Sequence, residues 1–187
     1  MRIIAGSLKG RRLQAGSGLA VRPTTGRVRE ALFNIIAERV LESRFLDLYA
    51  GTGAVGLEAL SRGASLAVFV ENDRRVAAEL KRRLDETGLA AKGRVRLGKA
   101  TAVVGALGVE GRVFDLVFMD PPYSGELMTK TLFRLSESGV VDPAGWVIAE
   151  SSFRRPPSDR AGGLYVWRRE RYGESLLSFY RAEEKSG

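Results

Sequence analysis

The sequence predicts an α/β protein: a mostly parallel sheet with helices on both faces, an antiparallel hairpin at the C-terminus and a short β-hairpin extension at the N-terminus. Two observations support this prediction. From Phe45 onward, short apolar runs alternate with longer stretches of helical periodicity, as in parallel strands joined by right-handed helical crossovers. Near the C-terminus, two segments of alternating polarity flank Tyr172-Gly173-Glu174, a pattern typical of an antiparallel hairpin.

The N-terminal residues are predicted to be a small extension of one main domain. Arg2–Ala5 and Arg11–Leu13 flank a turn of Gly, Ser and Lys, so residues 1–21 are expected to form a basic hairpin extension. Residues 22–187 are expected to form the main domain. The chain of 187 residues is long enough to bury the core of one ordinary domain.

The main domain is predicted to begin with a helix and to continue as alternating strands and helices. Thr24 or Thr25 would cap a helix from about Gly26 to Leu41, in which apolar residues recur at helical spacing. The apolar runs predict strands at Phe45–Tyr49, Leu66–Val70, Val95–Leu97, Phe114–Met119 and Trp146–Ala149. The helices predicted between them are Val55–Ser61, Arg74–Thr87, Ala100–Leu107 and Glu126–Ser136. The strands predicted for the C-terminal hairpin are Leu164–Glu170 and Ser175–Arg181.

The composition excludes several classes of protein. The chain has no cysteine, which excludes disulfides, thiolate metal sites, iron–sulfur clusters and a cysteine nucleophile. It has no histidine, which excludes Ser-His-Asp hydrolases and most zinc enzymes. No apolar run approaches the roughly 18–20 residues of a membrane span, and the N-terminus lacks the apolar core of a signal peptide. We therefore expect a cytoplasmic protein without a metal, whose chemistry depends on carboxylates, backbone groups and a bound organic cofactor. We also expect a monomer.

The positive charge is concentrated near the N-terminus. The net charge is +8, and residues 1–29 contain seven basic residues and no acidic residue. These basic residues are Arg2, Lys9, Arg11, Arg12, Arg22, Arg27 and Arg29. A segment of one charge sign suits a polyanion such as a nucleic acid, although a solubilising surface would have the same composition. A second basic cluster in the C-terminal hairpin consists of Arg168, Arg169 and Arg171.

A glycine-rich turn follows the first predicted strand of the main domain. The pattern Gly51-x-Gly53-x-x-Gly56 permits a tight turn and lets a ligand approach the backbone, and alone it also fits a dinucleotide site. Asp47, four residues before the first glycine, discriminates between the two ligands. A carboxylate there would repel a pyrophosphate but would suit the ammonium of a methionine moiety. The pattern therefore favours S-adenosylmethionine (SAM) over a nicotinamide cofactor.

The next two strands add further candidate cofactor contacts. Glu71 ends the second strand, 20 residues after Gly51, and its two oxygens could accept both ribose hydroxyls; the alternative is a solvated acid at a strand end. Asn72 could line the adenosine, and the backbone of Lys99 and Ala100 lies where adenine is expected. The complete predicted cofactor set is Asp47, Tyr49, Ala50, Gly51, Thr52, Gly53, Glu71, Asn72, Lys99, Ala100 and Asp120.

The predicted catalytic segment, Asp120-Pro121-Pro122-Tyr123, follows the fourth strand at its C-terminal end. Consecutive prolines make the turn stiff and remove two N–H donors, so the turn presents acceptors. The amino group of a nucleobase is a poor nucleophile because its lone pair is delocalised into the ring. Acceptors on Asp120 and Pro121 could hold its N–H groups and aim the nitrogen at a methyl group, while Tyr123 could stack on the base. The sequence leaves open whether the amine proton passes to Asp120 or to water.

Longer strings around these motifs extend over nearly the whole chain. They are Arg2-Ile3-Ile4-Ala5-Gly6, Arg22-Pro23-Thr24-Thr25-Gly26-Arg27-Val28-Arg29-Glu30-Ala31-Leu32-Phe33-Asn34, Leu57-Glu58-Ala59-Leu60-Ser61-Arg62-Gly63-Ala64, Asp120–Tyr123 and Tyr172-Gly173. In these strings the chain resembles the RsmD-type family of bacterial 16S rRNA guanine-N2 methyltransferases. The resemblance implies a class I, Rossmann-like methyltransferase fold and methyl transfer from SAM to N2 of a guanine in small-subunit rRNA. It also implies that the partner is ribosomal RNA in a partly assembled small subunit.

The resemblance assigns roles to the matching residues. Asp47, Gly51, Gly53 and Glu71 would hold SAM, and the Asp120–Tyr123 segment would present the guanine amine. Lys99 departs from the family pattern, which commonly has Asn or Asp there, so backbone groups would contact the adenine instead. Together with the basic N-terminus, the predicted substrate-binding set is Arg2, Lys9, Arg11, Arg12, Arg22, Thr24, Arg27, Arg29 and Tyr123.

Three other functions fit parts of the pattern. An adenine-N6 methyltransferase acting on DNA or RNA could use the same Asp-Pro-Pro-Tyr turn. A non-catalytic RNA-binding assembly factor could retain a SAM-type fold, although Asp47, Glu71 and Asp120 are all present. A nicotinamide oxidoreductase could use the glycine turn.

Overall fold

The computed structural model of the protein describes residues 2–12, 26–122 and 125–183. The predicted N-caps Thr24 and Thr25 lie outside these ranges. The helices are α1 (Gly26–Ile35), α2 (Ala37–Val40), α3 (Ala54–Ser61), α4 (Arg74–Thr87), α5 (Ala100–Val109) and α6 (Glu126–Ser138). The strands are β1 (Arg44–Leu48), β2 (Leu66–Glu71), β3 (Gly93–Leu97), β4 (Phe114–Met119), β5 (Val141–Ser152), β6 (Arg160–Ala161), β7 (Leu164–Tyr172) and β8 (Ser175–Ala182).

The eight strands form one sheet in the order β3-β2-β1-β4-β5-β8-β7-β6. The pairs from β3 to β5 are parallel, and β8, β7 and β6 continue the sheet with antiparallel pairing. This arrangement confirms the predicted parallel sheet with an antiparallel C-terminal hairpin. The strand order reverses between β1 and β4, and ligands of open α/β sheets bind beyond the carboxyl ends of the strands at such a point.

Helices cover both faces of the sheet because its central strands are apolar on both sides. Side chains of α1, α3 and α4 pack with Phe45 and Phe118 on one face. Side chains of α5 and α6 pack with Leu48 and Val117 on the other. Burial of each such side chain contributes about 1.5–3 kcal/mol, so this two-sided core holds the strand ends in fixed positions. No helix within the described ranges is long and apolar enough to span a membrane.

The largest differences from the predicted elements of the main domain are in its first helix and in β5. The helix predicted from Gly26 to Leu41 breaks at Ile36, which leaves helical geometry (φ −95°, ψ 9°) while its side chain stays fully buried. Strand β5 is much longer than the predicted Trp146–Ala149. The register between β4 and β5 shifts after Phe114, and this irregularity accommodates four residues of β5 that lack an apolar strand pattern.

The N-terminal segment differs from the predicted strand pair. A single antiparallel bridge joins Arg2 to Arg12, and Leu13 lies outside the described residues. The amides of Ile4 and Ala5 do not extend a ladder because they donate to the carboxylate of Glu58 in α3, at 2.8 and 2.9 Å. The segment is therefore attached to the helix that follows the glycine turn.

Candidate active site

Three predicted acidic residues lie at the carboxyl ends of three adjacent strands. Asp47 lies near the end of β1, Glu71 is the last residue of β2, and Asp120 directly follows β4. In the sheet β1 lies between β2 and β4. The charges of Asp120 and Glu71 both raise the pKa of Asp47, which reports their proximity. The fold therefore brings the three acids close together at the switch point, where open α/β sheets form their ligand-binding crevice.

Asp47 is a buried acid with little to compensate its charge. Its side chain is 2% exposed, and one carboxylate oxygen accepts a hydrogen bond from the Gly56 amide at 2.9 Å. Burial, and to a lesser extent the charges of Asp120 and Glu71, raise the pKa of Asp47 to about 8, against the lowering effect of the Gly56 bond. A cation placed in this crevice would stabilise the charged carboxylate.

The glycine turn has the backbone conformation that its sequence requires. Tyr49, Gly51 and Gly53 all have positive φ, at 61°, 52° and 74°. The positive φ of Gly53 favours glycine, and a Cβ there would lie 2.3 Å from the end of the Leu80 side chain in α4, which would have to move. The Gly53 amide donates to the Ala50 carbonyl at 2.7 Å, which closes the turn immediately before α3.

Glu71 connects the ends of β1 and β2. Its carboxylate accepts three backbone hydrogen bonds, from Gly51 at 2.9 Å, Asn72 at 2.8 Å and Asp73 at 2.9 Å. Since a carboxylate has about four acceptor positions, one position remains for a ligand hydroxyl. The sequence predicted that both carboxylate oxygens would bind the ribose hydroxyls. In the structure, backbone amides occupy most of the acceptor positions of this carboxylate.

Tyr49 and Thr52, two further residues of the turn, form hydrogen bonds with the helices that surround it. The Tyr49 hydroxyl lies 2.6 Å from the Thr131 hydroxyl in α6, and burial raises the pKa of Tyr49. The Thr52 carbonyl accepts a hydrogen bond at 2.7 Å from Arg83, a buried residue of α4 that also pairs with Glu79. The Tyr49 hydroxyl is therefore engaged within the fold, and the predicted contact of Tyr49 with the cofactor stays a prediction.

The residues predicted to line the adenosine follow strands β2 and β3. Asn72 is exposed and follows β2. Lys99 is exposed, occupies the N-cap position of α5 and makes no side-chain capping bond, whereas Ala100 is buried in the first turn. The amides at the start of α5 thus lie beside the end of β3, one strand away from Glu71.

The predicted catalytic segment begins where β4 ends. Asp120 is half-buried, Pro121 is buried and Pro122 is exposed. Met119, the last residue of β4, pairs with Leu48 in β1, which places Asp120 beside the start of the glycine turn. Tyr123 lies outside the described residues.

The predicted RNA-binding residues divide into an exposed group and one buried arginine. The exposed members are Arg2, Lys9, Arg11, Arg12 and Arg27, whereas Arg22 and Thr24 lie outside the described residues. The prediction that Arg29 binds RNA is wrong, because Arg29 is 5% exposed and cannot reach a ligand at the surface. Its guanidinium donates to the Arg2 carbonyl at 2.7 Å and lies 3.7 Å from Glu58. Burial lowers the pKa of Arg29, and the charge of Glu58 opposes that effect.

Sequence reasoning did not identify Glu58 and Arg83 as residues that support the site. Glu58 is fully buried in α3 and binds the N-terminal segment, and Arg83 is 3% exposed and holds the glycine turn. Their positions in the sequence could have indicated this role, because each of these charged residues lies among the buried apolar residues of its helix. A charge in such a position requires a buried partner.

Comparisons with known proteins agree with this architecture. The family model described as Conserved hypothetical protein 95 matches residues 1–181. The Bacillus subtilis protein YlbH is 34% identical over 181 residues, covering 97% of this chain and 98% of that protein. Ribosomal RNA small subunit methyltransferase D of Escherichia coli is 38% identical over 151 residues, covering 81% and 74%.

A solved structure shows the same fold over the whole chain. The structure of the Escherichia coli methyltransferase yhhF has a TM-score of 0.88 at 31% identity and covers 99% of both chains. The family match, the sequence identities and the shared fold each extend over most of the chain. The protein therefore belongs to the Conserved hypothetical protein 95 family, the RsmD family that includes ribosomal RNA small subunit methyltransferase D.

Proposed function

We propose that this protein transfers a methyl group from SAM to the exocyclic N2 amine of a guanine in small-subunit rRNA. The observation that carries the proposal is the convergence of Asp47, Glu71 and Asp120 on one crevice, with Asp47 buried. The family relationship supports rRNA methylation, because relatives at 38% and 33% identity carry the name ribosomal RNA small subunit methyltransferase D.

The residues of the crevice fit the charge of SAM. This cofactor has an ammonium and a sulfonium, and a buried carboxylate with a pKa near 8 is stabilised by a nearby cation. Asp47 would bind the ammonium, and the turn from Tyr49 to Gly53 would accommodate the methionine moiety against its backbone. Glu71 would use its remaining acceptor position for a ribose hydroxyl. Backbone groups at Lys99 and Ala100 would contact the adenine.

The Asp120–Tyr123 segment would position the acceptor base. SAM supplies the methyl group and its own leaving group, so no metal or covalent enzyme intermediate is required. Asp120 and the Pro121 carbonyl would accept hydrogen bonds from the guanine amine and orient its lone pair. The rigid proline turn fixes these acceptors, and this orientation is the main contribution of the protein to the rate. Tyr123 would stack on the base.

The exposed basic residues of the N-terminal segment would bind rRNA phosphates. Arg2, Lys9, Arg11 and Arg12 lie on a segment that Glu58 and Ser61 attach to the C-terminal half of α3. A structured RNA bound by this segment would extend along the domain, so that one of its bases reaches the carboxyl end of the sheet. We propose a partly assembled small subunit as the substrate and a monomeric, cytoplasmic enzyme.

The test is methyl transfer from radiolabelled SAM to small subunits from a strain that lacks this protein, followed by nucleoside analysis. We expect N2-methylguanosine from the wild-type protein and at least a 1,000-fold slower rate from Asp120→Ala, with SAM affinity within about threefold of wild type. Asp85→Ala, which removes an exposed acid from α4, is the matched control and should retain full activity. A fully active Asp120→Ala protein contradicts the assignment of Asp120.

Other products would identify other functions. Methylated adenine in the product would indicate an adenine-N6 methyltransferase. Absence of SAM binding in calorimetry would favour a non-catalytic RNA-binding protein, and tight binding of NADH would favour an oxidoreductase.

A further inference from the structure

A second basic surface lies at the carboxyl end of the sheet, beside the proposed active site. It consists of Phe153, Arg154, Arg155 and Arg171, and we call it the arginine patch. Phe153 follows the last residue of β5, and its amide donates to the Glu174 carbonyl in the β7–β8 turn at 3.0 Å. This bond joins the end of β5 to the hairpin turn that follows Arg171.

The strand register places the patch close to Asp120. Met119 pairs with Ala149, so Asp120 lies at the level of Glu150, and β5 continues two residues further to Ser152. From the spacing of residues and strands, the Cα atoms of Asp120 and Ser152 lie about 8 Å apart. The patch therefore begins within reach of the nucleotides that flank a base held at Asp120.

An aromatic ring holds the guanidinium of Arg171 in place. This guanidinium lies 3.4 Å from the centre of the Phe153 ring, and its Nε donates to the Gly173 carbonyl at 2.9 Å. Arg154 lies 5.4 Å from the same ring. A stacked guanidinium keeps its terminal N–H groups in a planar fork that matches a phosphate, and it loses little side-chain entropy on binding.

The patch has more positive charge than its acidic neighbours neutralise. Arg154 pairs with Glu174 at 3.4 Å, but both side chains are largely exposed, so the pair contributes only about 0–1 kcal/mol and can exchange for another anion. Within the described ranges, Arg155 and Arg171 form no ion pair with a carboxylate. Arg168 and Arg169 of the same hairpin differ, since they pair with Glu170 at 2.9 Å and Asp159 at 2.6 Å.

We propose that the arginine patch binds phosphates of the substrate RNA next to the target nucleotide. This inference rests on the proposed function, since it takes rRNA as the substrate. The N-terminal segment and the patch would then contact the RNA backbone at two separate places, and the patch would be the one beside the target base. Such phosphate contacts supply affinity and position without reading the base sequence.

The test compares two double variants that remove the same charge from opposite ends of the sheet. Arg154→Gln/Arg171→Gln alters the patch. Arg112→Gln/Arg160→Gln is the matched control, because both of these arginines are exposed, each lies beside one glutamate, and both lie at the amino end of the parallel strands. Thermal unfolding and SAM calorimetry of both variants establish that fold and cofactor site are unchanged.

Binding to naked 16S rRNA and to unmethylated small subunits is measured as a function of KCl concentration. We expect the patch variant to bind both about 10-fold or more weakly at 150 mM KCl, and the slope of log affinity against log salt to fall by about 1.5. The control should change affinity less than threefold. Equal affinities of the patch variant and the control would overturn the proposal. A loss on subunits but not on naked rRNA would also overturn it, because the patch would then contact a ribosomal protein.

These measurements separate the two proposals. Binding does not require turnover, so the comparison of variants decides the role of the patch even if the wild-type protein transfers no methyl group. Methyl transfer by the wild-type protein, together with a patch variant that binds like the control, would retain the proposed function and reject the patch.

Discussion

The charge of Asp120, which directly follows β4, raises the pKa of Asp47 in the neighbouring strand β1. The charge of Asp120 thus disfavours the ionisation of Asp47 when no cation lies between them. Burial acts on Asp47 in the same direction and is the larger effect. This unfavourable arrangement costs stability in the free protein, and a bound cation would relieve it.

Replacement of Asp47 with Asn should stabilise the free protein and weaken SAM binding. The raised pKa means that the folded state loses stability as pH increases from about 3.8 to about 8, because over this range the unfolded chain ionises the carboxyl while the folded protein keeps it protonated. Asn does not ionise and can still accept the Gly56 hydrogen bond. We expect Asp47→Asn to raise Tm by at least about 5 °C at pH 8, and by less at pH 5. SAM affinity should fall by about 30-fold or more.

Differential scanning calorimetry at the two pH values and titration with SAM check this prediction. Asp85→Asn, on the exposed face of α4, provides the control and should change neither quantity. A lower Tm for Asp47→Asn at pH 8 would show that the buried charge stabilises the fold.

SAM binding should release a proton below pH 8. At pH 6 to 7 the Asp47 carboxyl of the free protein is protonated, since its pKa is about 8, and a bound ammonium favours the ionised form. The dissociation constant for SAM should therefore decrease by up to about tenfold for each unit by which the pH rises over this range. Isothermal titration calorimetry in buffers of different ionisation enthalpy measures the released proton directly. Affinity that is independent of pH would contradict a role for Asp47 in binding the ammonium.

The fold was predictable where local sequence and tertiary structure agree. Strand β4 has the predicted bounds, because it lies between strands β1 and β5 and five of its six residues are buried and apolar. Helix α4 also has the predicted bounds, with Asp73 as its N-cap and Gly88 after its last turn. The length of strand β5 was underestimated. Residues 142–145 belong to it only through an irregular pairing with β4, and this tertiary feature has no local sequence pattern.

The site was predictable as a set of positions but not as a set of contacts. Parallel strands bring their carboxyl ends together, so Asp47, Glu71 and Asp120 could be placed in one crevice from topology alone. The sequence contains no signal for the pairing of Tyr49 with Thr131, which lies 82 residues away. The sequence also does not indicate that Arg29 is buried against Glu58, because Arg29 lies within a basic stretch.

The Tyr49 hydroxyl should matter for stability and not for the cofactor. Tyr49→Phe removes its contact with Thr131, whose hydroxyl keeps a second partner in the Leu127 carbonyl at 2.8 Å. We expect a loss of about 1 kcal/mol in the free energy of unfolding and a SAM affinity within twofold of wild type. Urea unfolding and calorimetry measure the two quantities. A large loss of SAM affinity would instead place the hydroxyl in the cofactor site.

Glu58 should hold the basic N-terminal segment against the domain. Its buried carboxylate accepts the amides of Ile4 and Ala5 and the Nε of Arg62, and it lies 3.7 Å from Arg29. Glu58→Ala leaves these groups without their acceptor and Arg29 as a buried charge without its nearest carboxylate. We expect a loss of about 3–5 kcal/mol in the free energy of unfolding.

The same substitution should release the segment before the domain unfolds. Limited trypsin digestion, followed by mass spectrometry, should detect faster cleavage after Lys9 and Arg11 in Glu58→Ala than in Glu38→Ala, which removes an exposed acid from α2. RNA affinity should fall while SAM affinity stays within threefold, since Asp47 and Glu71 keep their partners. Unchanged cleavage in a destabilised Glu58→Ala protein would mean that the buried Ile3 side chain, and not this carboxylate, holds the segment in place.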